Sequence, residues 1–209
     1  MIAIIDYNAG NLTSVKRALD FIGVSSLITS DFKKILDADR VIFPGVGAAG
    51  KAISDLKANR LDIALKEVFE SGKPVLGICL GTQIILESSQ ENNTRCLSLV
   101  KGDVLKFPDD LKDTEGRKLK VPHMGWNSIK LKKPHPLFDG VAEDIEFYFV
   151  HSYYPAPSSP DNILGETLYG IRFTSVLTSG NLVAVQFHPE KSGRPGLKIL
   201  ENFCKWSGK

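Results

Sequence analysis

The chain has 209 residues, 43% hydrophobic and 24% charged, which excludes collagen-like, disordered and membrane-embedded classes. Its 26 basic against 24 acidic side chains leave a formal charge of +2, too small for electrostatics to argue for nucleic acid as a partner. At this length roughly 70% of the unfolded chain's surface can be buried, so one domain over 1–209 is expected with no covalent staple. Cys79, Cys96 and Cys204 are odd in number, widely spaced and free of any C-x-x-C, so neither a disulfide framework nor a zinc knuckle is indicated. His123, His135, His151 and His188 show no metal-ligand spacing, and neither a metal nor a cofactor is expected. The apolar start meets Asp6 at once and has no basic flank, so it reads as a strand and not as a leader. The most hydrophobic uncharged run, 74–86, has 13 residues and is too short to cross a bilayer. A cytoplasmic chain with reduced thiols is expected.

In chain order, residues 2–5 form a continuous apolar run, the mark of a strand buried on both faces. Asp6-Tyr7-Asn8-Ala9-Gly10-Asn11 then supplies turn chemistry, after which Leu12, Val15, Leu19 and Ile22 recur at helical spacing up to Gly23. Strands are predicted at 24–29 and 40–43, the latter stopped by Pro44-Gly45-Val46-Gly47. A helical region follows over about 48–71, with a break near Asn59-Arg60, then a strand at 75–78 and a helix at 80–88. Such alternation predicts an α/β fold, a doubly wound, mostly parallel sheet flanked by helices. The second half changes character. Segments 97–107, 127–131, 147–150, 171–177 and 182–187 read as strands, the last two joined as a hairpin through Thr178-Ser179-Gly180-Asn181. They predict an antiparallel appendage, with an exposed loop at 109–120 and a closing helix over about 195–206.

The sharpest chemical signal is Gly77-Ile78-Cys79-Leu80-Gly81, where an apolar strand runs into a nucleophile flanked by small residues and a helix begins directly behind. This arrangement puts the Cys79 sulfur at a helix start, where backbone dipoles favour thiolate, and turns the Leu80 N–H toward an oxyanion. A lone cysteine is more often an apolar core residue, as Cys96 and Cys204 are read here; the elbow sets Cys79 apart. A thiol needs a base, and the base needs an orienting group. His188-Pro189-Glu190 offers both, because side chains two apart in an extended segment share a face. Pro44-Gly45-Val46-Gly47 reads in isolation as an ordinary tight turn; beside an elbow cysteine, its glycines also leave the Val46 and Gly47 N–H groups able to complete an oxyanion hole.

Taken together, residues 44–47, 77–81 with Gln83, and 188–190 resemble the class I, triad-type glutamine amidotransferases. The segments Asp6-Tyr7-Asn8-Ala9-Gly10-Asn11-Leu12, Val121-Pro122-His123-Met124-Gly125-Trp126-Asn127, Phe147-Tyr148-Phe149-Val150-His151-Ser152-Tyr153-Tyr154 and Gln186-Phe187-His188-Pro189-Glu190-Lys191-Ser192 look like one branch of that family, the glutaminase subunits of imidazole glycerol phosphate synthases. Thr82 departs from the methionine the family pattern leads one to expect after Cys-Leu-Gly.

The resemblance implies that Cys79 attacks glutamine, that His188 oriented by Glu190 moves the protons, and that glutamine sits among Gly47, Gln83, Ser152 and Tyr153. It implies a heterodimer with a separate (β/α)₈ barrel cyclase, since 209 residues leave no room for a barrel of about 250. Asn11, Met124 and Trp126 are then expected to line the face through which ammonia reaches that partner. The rival readings are the glutaminase half of another synthase, a free-standing γ-glutamyl hydrolase, and an inactive regulatory module on the same fold. The intact Cys79, His188 and Glu190 argue against the last.

Overall fold

A computed structural model describes residues 1–209. The first half runs β1 (Ile2–Ile5), α1 (Leu12–Phe21), β2 (Ser26–Thr29), α2 (Phe32–Asp37), β3 (Arg40–Gly45), α3 (Ala49–Ala58), α4 (Leu61–Glu70), β4 (Val75–Cys79) and α5 (Leu80–Ile84). The second half adds β5 (Ser88–Ser89), β6 (Thr94–Arg95), β7 (Gly102–Lys106), β8 (His123–Ser128), β9 (Lys130–Leu131), β10 (Glu146–His151), β11 (Tyr153–Pro157), β12 (Ile163–Tyr169), β13 (Ile171–Ser179), β14 (Leu182–Val185) and α6 (Gly193–Lys205). The main sheet has the order β2-β1-β3-β4-β14-β13-β12-β9. Its strands are parallel from β2 through β14 and antiparallel beyond.

Strand periodicity explains the two cores. Ile2 and Ile4 face one side of the sheet with Leu76, Ile78, Val183 and Val185, against α1 and α6. Ala3 and Ile5 face the other side with Val41, Phe43 and Val75, against α2, α3 and α4. The expected break in the long helical region falls where Arg60 takes a positive φ of 58° and ends α3 before α4 begins.

The antiparallel strands expected in the second half are present and divide among three sheets: β13, β12 and β9 extend the main sheet, while β10-β8 and β11-β7-β5-β6 are separate small sheets. Two boundaries are corrected. The helix expected over 80–88 stops at Ile84, and the strand expected over 97–107 begins only at Gly102. One cause serves both. The N–H groups of Leu97, Ser98, Leu99 and Val100 bond the carbonyls of Ile84, Ile85 and Leu86, so this apolar stretch closes the end of α5 instead of pairing as a strand.

Candidate active site

Ligand sites in open α/β sheets lie beyond the carboxyl ends of the strands. Four segments meet there: residues 6–11 after β1, Val46 and Gly47 after β3, Cys79 closing β4, and residues 186–190 after β14. Cys79 holds φ 53° and ψ −106°, a strained conformation for a residue with a side chain and the one an elbow requires. The neighbouring strands explain the flanking glycines. A Cβ on Gly81 would stand 1.9 Å from the Phe43 carbonyl oxygen, and one on Gly77 would stand 2.8 Å from Ala184 Cβ.

Pro44 and Gly45, expected to lie after their strand, are paired within it opposite Ile78 and Cys79, so the free loop begins at Val46. Gly47 takes φ +105°, which glycine alone adopts without strain. Neither the Val46 nor the Gly47 N–H bonds to another backbone group, so both remain open donors next to the nucleophile. Leu80, at the first helical position, adds a third N–H without an intrahelical acceptor. The base of the loop is tied down by Tyr7, whose hydroxyl donates to the Pro44 carbonyl at 2.9 Å. Burial, followed by the charges of Cys79 and Asp55, pushes the Tyr7 phenol well above its ordinary range and keeps it a donor.

His188 Nδ1 lies 2.7 Å from Glu190 Oε1, with both side chains fully buried. The pairing is as expected, but the backbone that makes it is not extended throughout: Pro189–Lys191 forms a 3₁₀ turn that curls the carboxylate back onto the ring. With Nδ1–H engaged by Glu190, the buried Nε2 has no hydrogen-bond partner of its own and is left on the side of the ring away from the carboxylate. Asn11 joins this pair, its amide donating to the same Glu190 oxygen at 2.5 Å. Burial alone would lower the His188 pKa, yet the Cys79 sulfur and then Glu190 outweigh it and lift it to about 10. The imidazolium form of His188 is therefore favoured for as long as the sulfur beside it is charged. Once the sulfur is acylated and uncharged, the largest force holding that proton is gone.

A cavity of about 300 Å³ opens above Cys79 and brings together Val46, Gly47, Leu80, Gln83, Ser152 and Tyr153. It is lined also by Glu91, Pro122, Val150 and His151, which sequence reasoning missed. Glu91 is the one charged side chain of the lining and stands on a 3₁₀ turn beside the small β11-β7-β5-β6 sheet, so no local pattern could have marked it. Thr82 donates to the Val185 carbonyl at 2.6 Å, a bond the expected methionine would lack.

His151 and His123 form a buried pair. His151 Nδ1 meets the Tyr153 carbonyl at 2.8 Å and must carry the proton there, so its Nε2 accepts from His123 Nδ1 at 3.1 Å. Burial depresses both rings, His123 to about 4 and His151 to about 3. The stability they contribute is complete above the unfolded value near 6.5 and is lost as pH falls toward those folded values. His188 works in the opposite sense, contributing fully below 6.5 and fading as pH rises through about 10. At pH 5, long-range ¹H–¹⁵N spectra should find His123 and His151 neutral with Nδ1 protonated; a doubly protonated ring would refute the assignment.

Met124 and Trp126 stand on β8 two residues apart and remain 62% and 53% exposed. The strand paired with them, β10, reaches the triad: the Tyr148 carbonyl accepts from the His188 N–H at 2.9 Å. Asn11 is placed at the His188–Glu190 pair itself.

A buried imidazole beside an elbow thiol and open N–H donors is an arrangement suited to acyl transfer, set at the carboxyl edge of an open α/β sheet. The family described as "Glutamine amidotransferase class-I" matches residues 3–206. The imidazole glycerol phosphate synthase subunit HisH of Maridesulfovibrio salexigens is 52% identical, covering 99% of this chain and 97% of its own. That of Thiobacillus denitrificans is 46% identical, with 99% and 91% covered. Among solved structures, a glutamine amidotransferase superposes with a TM-score of 0.73 at 15% identity, covering 98% of this chain and all of its own. PurLQS from Thermotoga maritima gives 0.71 at 18% identity, with 98% and 97% covered; at such identity the likeness concerns the fold. The chain belongs to the class-I glutamine amidotransferases and, within them, to the HisH glutaminase subunits of imidazole glycerol phosphate synthase, which serve histidine biosynthesis.

Proposed function

We propose that residues 1–209 act as one amidotransferase domain that hydrolyses glutamine on Cys79 and passes the ammonia to a separate cyclase subunit of (β/α)₈ fold, as a heterodimer in the cytoplasm. The observation that carries this reading is the His188–Glu190 pair at 2.7 Å beside an elbow cysteine that itself lines a cavity of about 300 Å³. The Cys79 sulfur attacks the carboxamide carbon, and the oxyanion is met by N–H groups of Val46, Gly47 and Leu80. His188 gives its proton to the leaving nitrogen, so ammonia departs and a thioester remains. The imidazole, now without the sulfur's charge beside it, takes a proton from water, whose oxygen attacks the thioester and releases glutamate. Gly47, Gln83, Ser152 and Tyr153 hold the substrate, and Glu91 suits its ammonium group.

Ammonia released into bulk water would be protonated and lose its nucleophilicity, so transfer within the complex is part of the function. The cyclase joins it to a phosphoribulosyl formimino aminoimidazole carboxamide nucleotide, giving imidazole glycerol phosphate and an aminoimidazole carboxamide ribonucleotide. Met124 and Trp126 form the core of the contact, an exposed aromatic and a flexible apolar side chain on one strand face. Neither nucleic acid nor membrane enters this reading, and no helix is long and apolar enough to cross a bilayer.

The test is glutamate release from glutamine by the purified chain, alone and with a histidine-pathway cyclase carrying its nucleotide ligand. Slow turnover alone and strong stimulation in the complex are expected, with Trp126→Ala weakening partner affinity at least tenfold, as loss of an interface anchor does. Equal turnover in both states would instead make the chain a free-standing hydrolase.

A further inference from the structure

We infer that Gln186 is a further catalytic residue of this site, its side-chain amide donating a hydrogen bond to the Cys79 sulfur and stabilising the attacking thiolate. This rests on Cys79 being the nucleophile, as proposed above.

Topology places the two residues together. Strand β14 runs parallel beside β4 with Ala184 opposite Gly77 and Val185 opposite Ile78, so Gln186 and Cys79 are the next pair at the carboxyl ends. The Gln186 N–H is held by the Ser175 carbonyl at 2.8 Å, and its side chain is wholly buried. A buried amide is costly unless its groups are bonded, so its partners report what it is there to do. Its two bonds are to Gln83 and to the sulfur: Gln83 Nε2 lies 3.1 Å from Gln186 Oε1, and Gln186 Nε2 lies 3.7 Å from Cys79 Sγ.

The orientation of the amide follows from its neighbours. Gln83 Nε2 also lies 2.7 Å from the Tyr153 carbonyl oxygen, which can only accept, so that end of Gln83 must be the NH₂ group. It then requires an oxygen on Gln186, which leaves the Gln186 NH₂ facing the sulfur. The Tyr153 carbonyl is held in turn by His151 Nδ1 at 2.8 Å. Apart from the His188 ring, the sulfur meets the Val150 carbonyl oxygen at 3.9 Å, an acceptor that suits the neutral S–H. Gln186 therefore acts on the charged form and Val150 on the neutral one. Helix α5 has only five residues, so its macrodipole is a small source of charge stabilisation, and a fixed donor at the sulfur has correspondingly more to do.

The experiment is alkylation of the full chain by iodoacetamide between pH 5 and 9, read by mass spectrometry on the peptide carrying Cys79, so that Cys96 and Cys204 do not interfere. Gln186→Met keeps the volume and removes the donor. Charge-assisted bonds of this kind change such equilibria by about tenfold, so the rate at pH 7 should fall about tenfold and the profile should move up by about one pH unit. A folded variant with an unchanged profile would overturn the inference and make Gln186 a packing residue. Should the variant not fold, the unsubstituted chain decides: the Gln186 side-chain amide resonances must shift across the pH range in which labelling begins, and their invariance would overturn the inference equally. Failure of 6-diazo-5-oxo-norleucine to label Cys79 in the unsubstituted chain is a separate outcome, one that defeats the nucleophile itself and the inference with it.

Discussion

Cys79→Ala is expected to remove glutamate release almost entirely, by about 10⁴-fold or more, since residues acting as one nucleophilic unit lose most of the rate when any member is removed. The reason is local. No other thiol stands near the His188–Glu190 pair: Cys96 is buried away from the cavity lining, and Cys204 lies near the end of α6. The same substitution has a second consequence, distinct from activity. The sulfur is the largest influence raising the His188 pKa against its burial, so in the alanine variant the imidazole should titrate below its value of about 10, and histidine NMR titration would show it. A variant with no activity but an unmoved His188 would mean that Glu190 alone holds the proton. The two-stage account, in which acylation of the sulfur releases the base, would then be wrong.

Gly81→Ala should be as damaging by a different route. The added methyl would sit 1.9 Å from the Phe43 carbonyl oxygen and 3.0 Å from its carbon, backbone atoms of the adjacent strand β3 that cannot rotate away. Phe43 is paired opposite Gly77, so relieving the clash means pulling β3 from β4 at the point where both deliver their catalytic segments. A loss above about 4 kcal/mol is expected, a large share of the roughly 5–15 kcal/mol that holds an ordinary chain folded. Gly47→Ala is the control. Nothing lies within 4 Å of its added Cβ, and only the positive φ opposes it, at about 1–2 kcal/mol. Denaturant midpoints of the two variants should differ widely; similar midpoints would mean that β3 and the elbow tolerate separation. The Gly47 variant should stay folded and lose activity through a displaced Val46–Gly47 backbone.

The elbow, the His-x-Glu pair and the parallel first half were legible because their signals are local: an apolar run, a small-flanked nucleophile, a spacing of two. The second half was less legible. The leucine-rich segment 96–100 carries a strand's composition yet serves as a cap on α5, a role visible only once the carbonyls it bonds are in place. Glu91, His123 and His151 carried no pattern of their own, since a lone acid or a separated histidine acquires meaning only from what it meets. The turn at Pro189–Lys191 corrected the reason for the His188–Glu190 pairing without undoing the pairing.

What the sequence by itself determined was therefore the candidate chemistry: a small-flanked cysteine at a strand end and a histidine two residues from a glutamate, all properties of side-chain types at short spacing. The tertiary structure alone decided who stands beside them. Strand order sets β14 against β4 and so brings Gln186 to the sulfur across 107 residues, and the loop after β1 brings Asn11 to Glu190 across 179. Contacts at such separations arise from how two cores close on both faces of one sheet, a balance of burial over the whole chain that no local stretch of residues encodes.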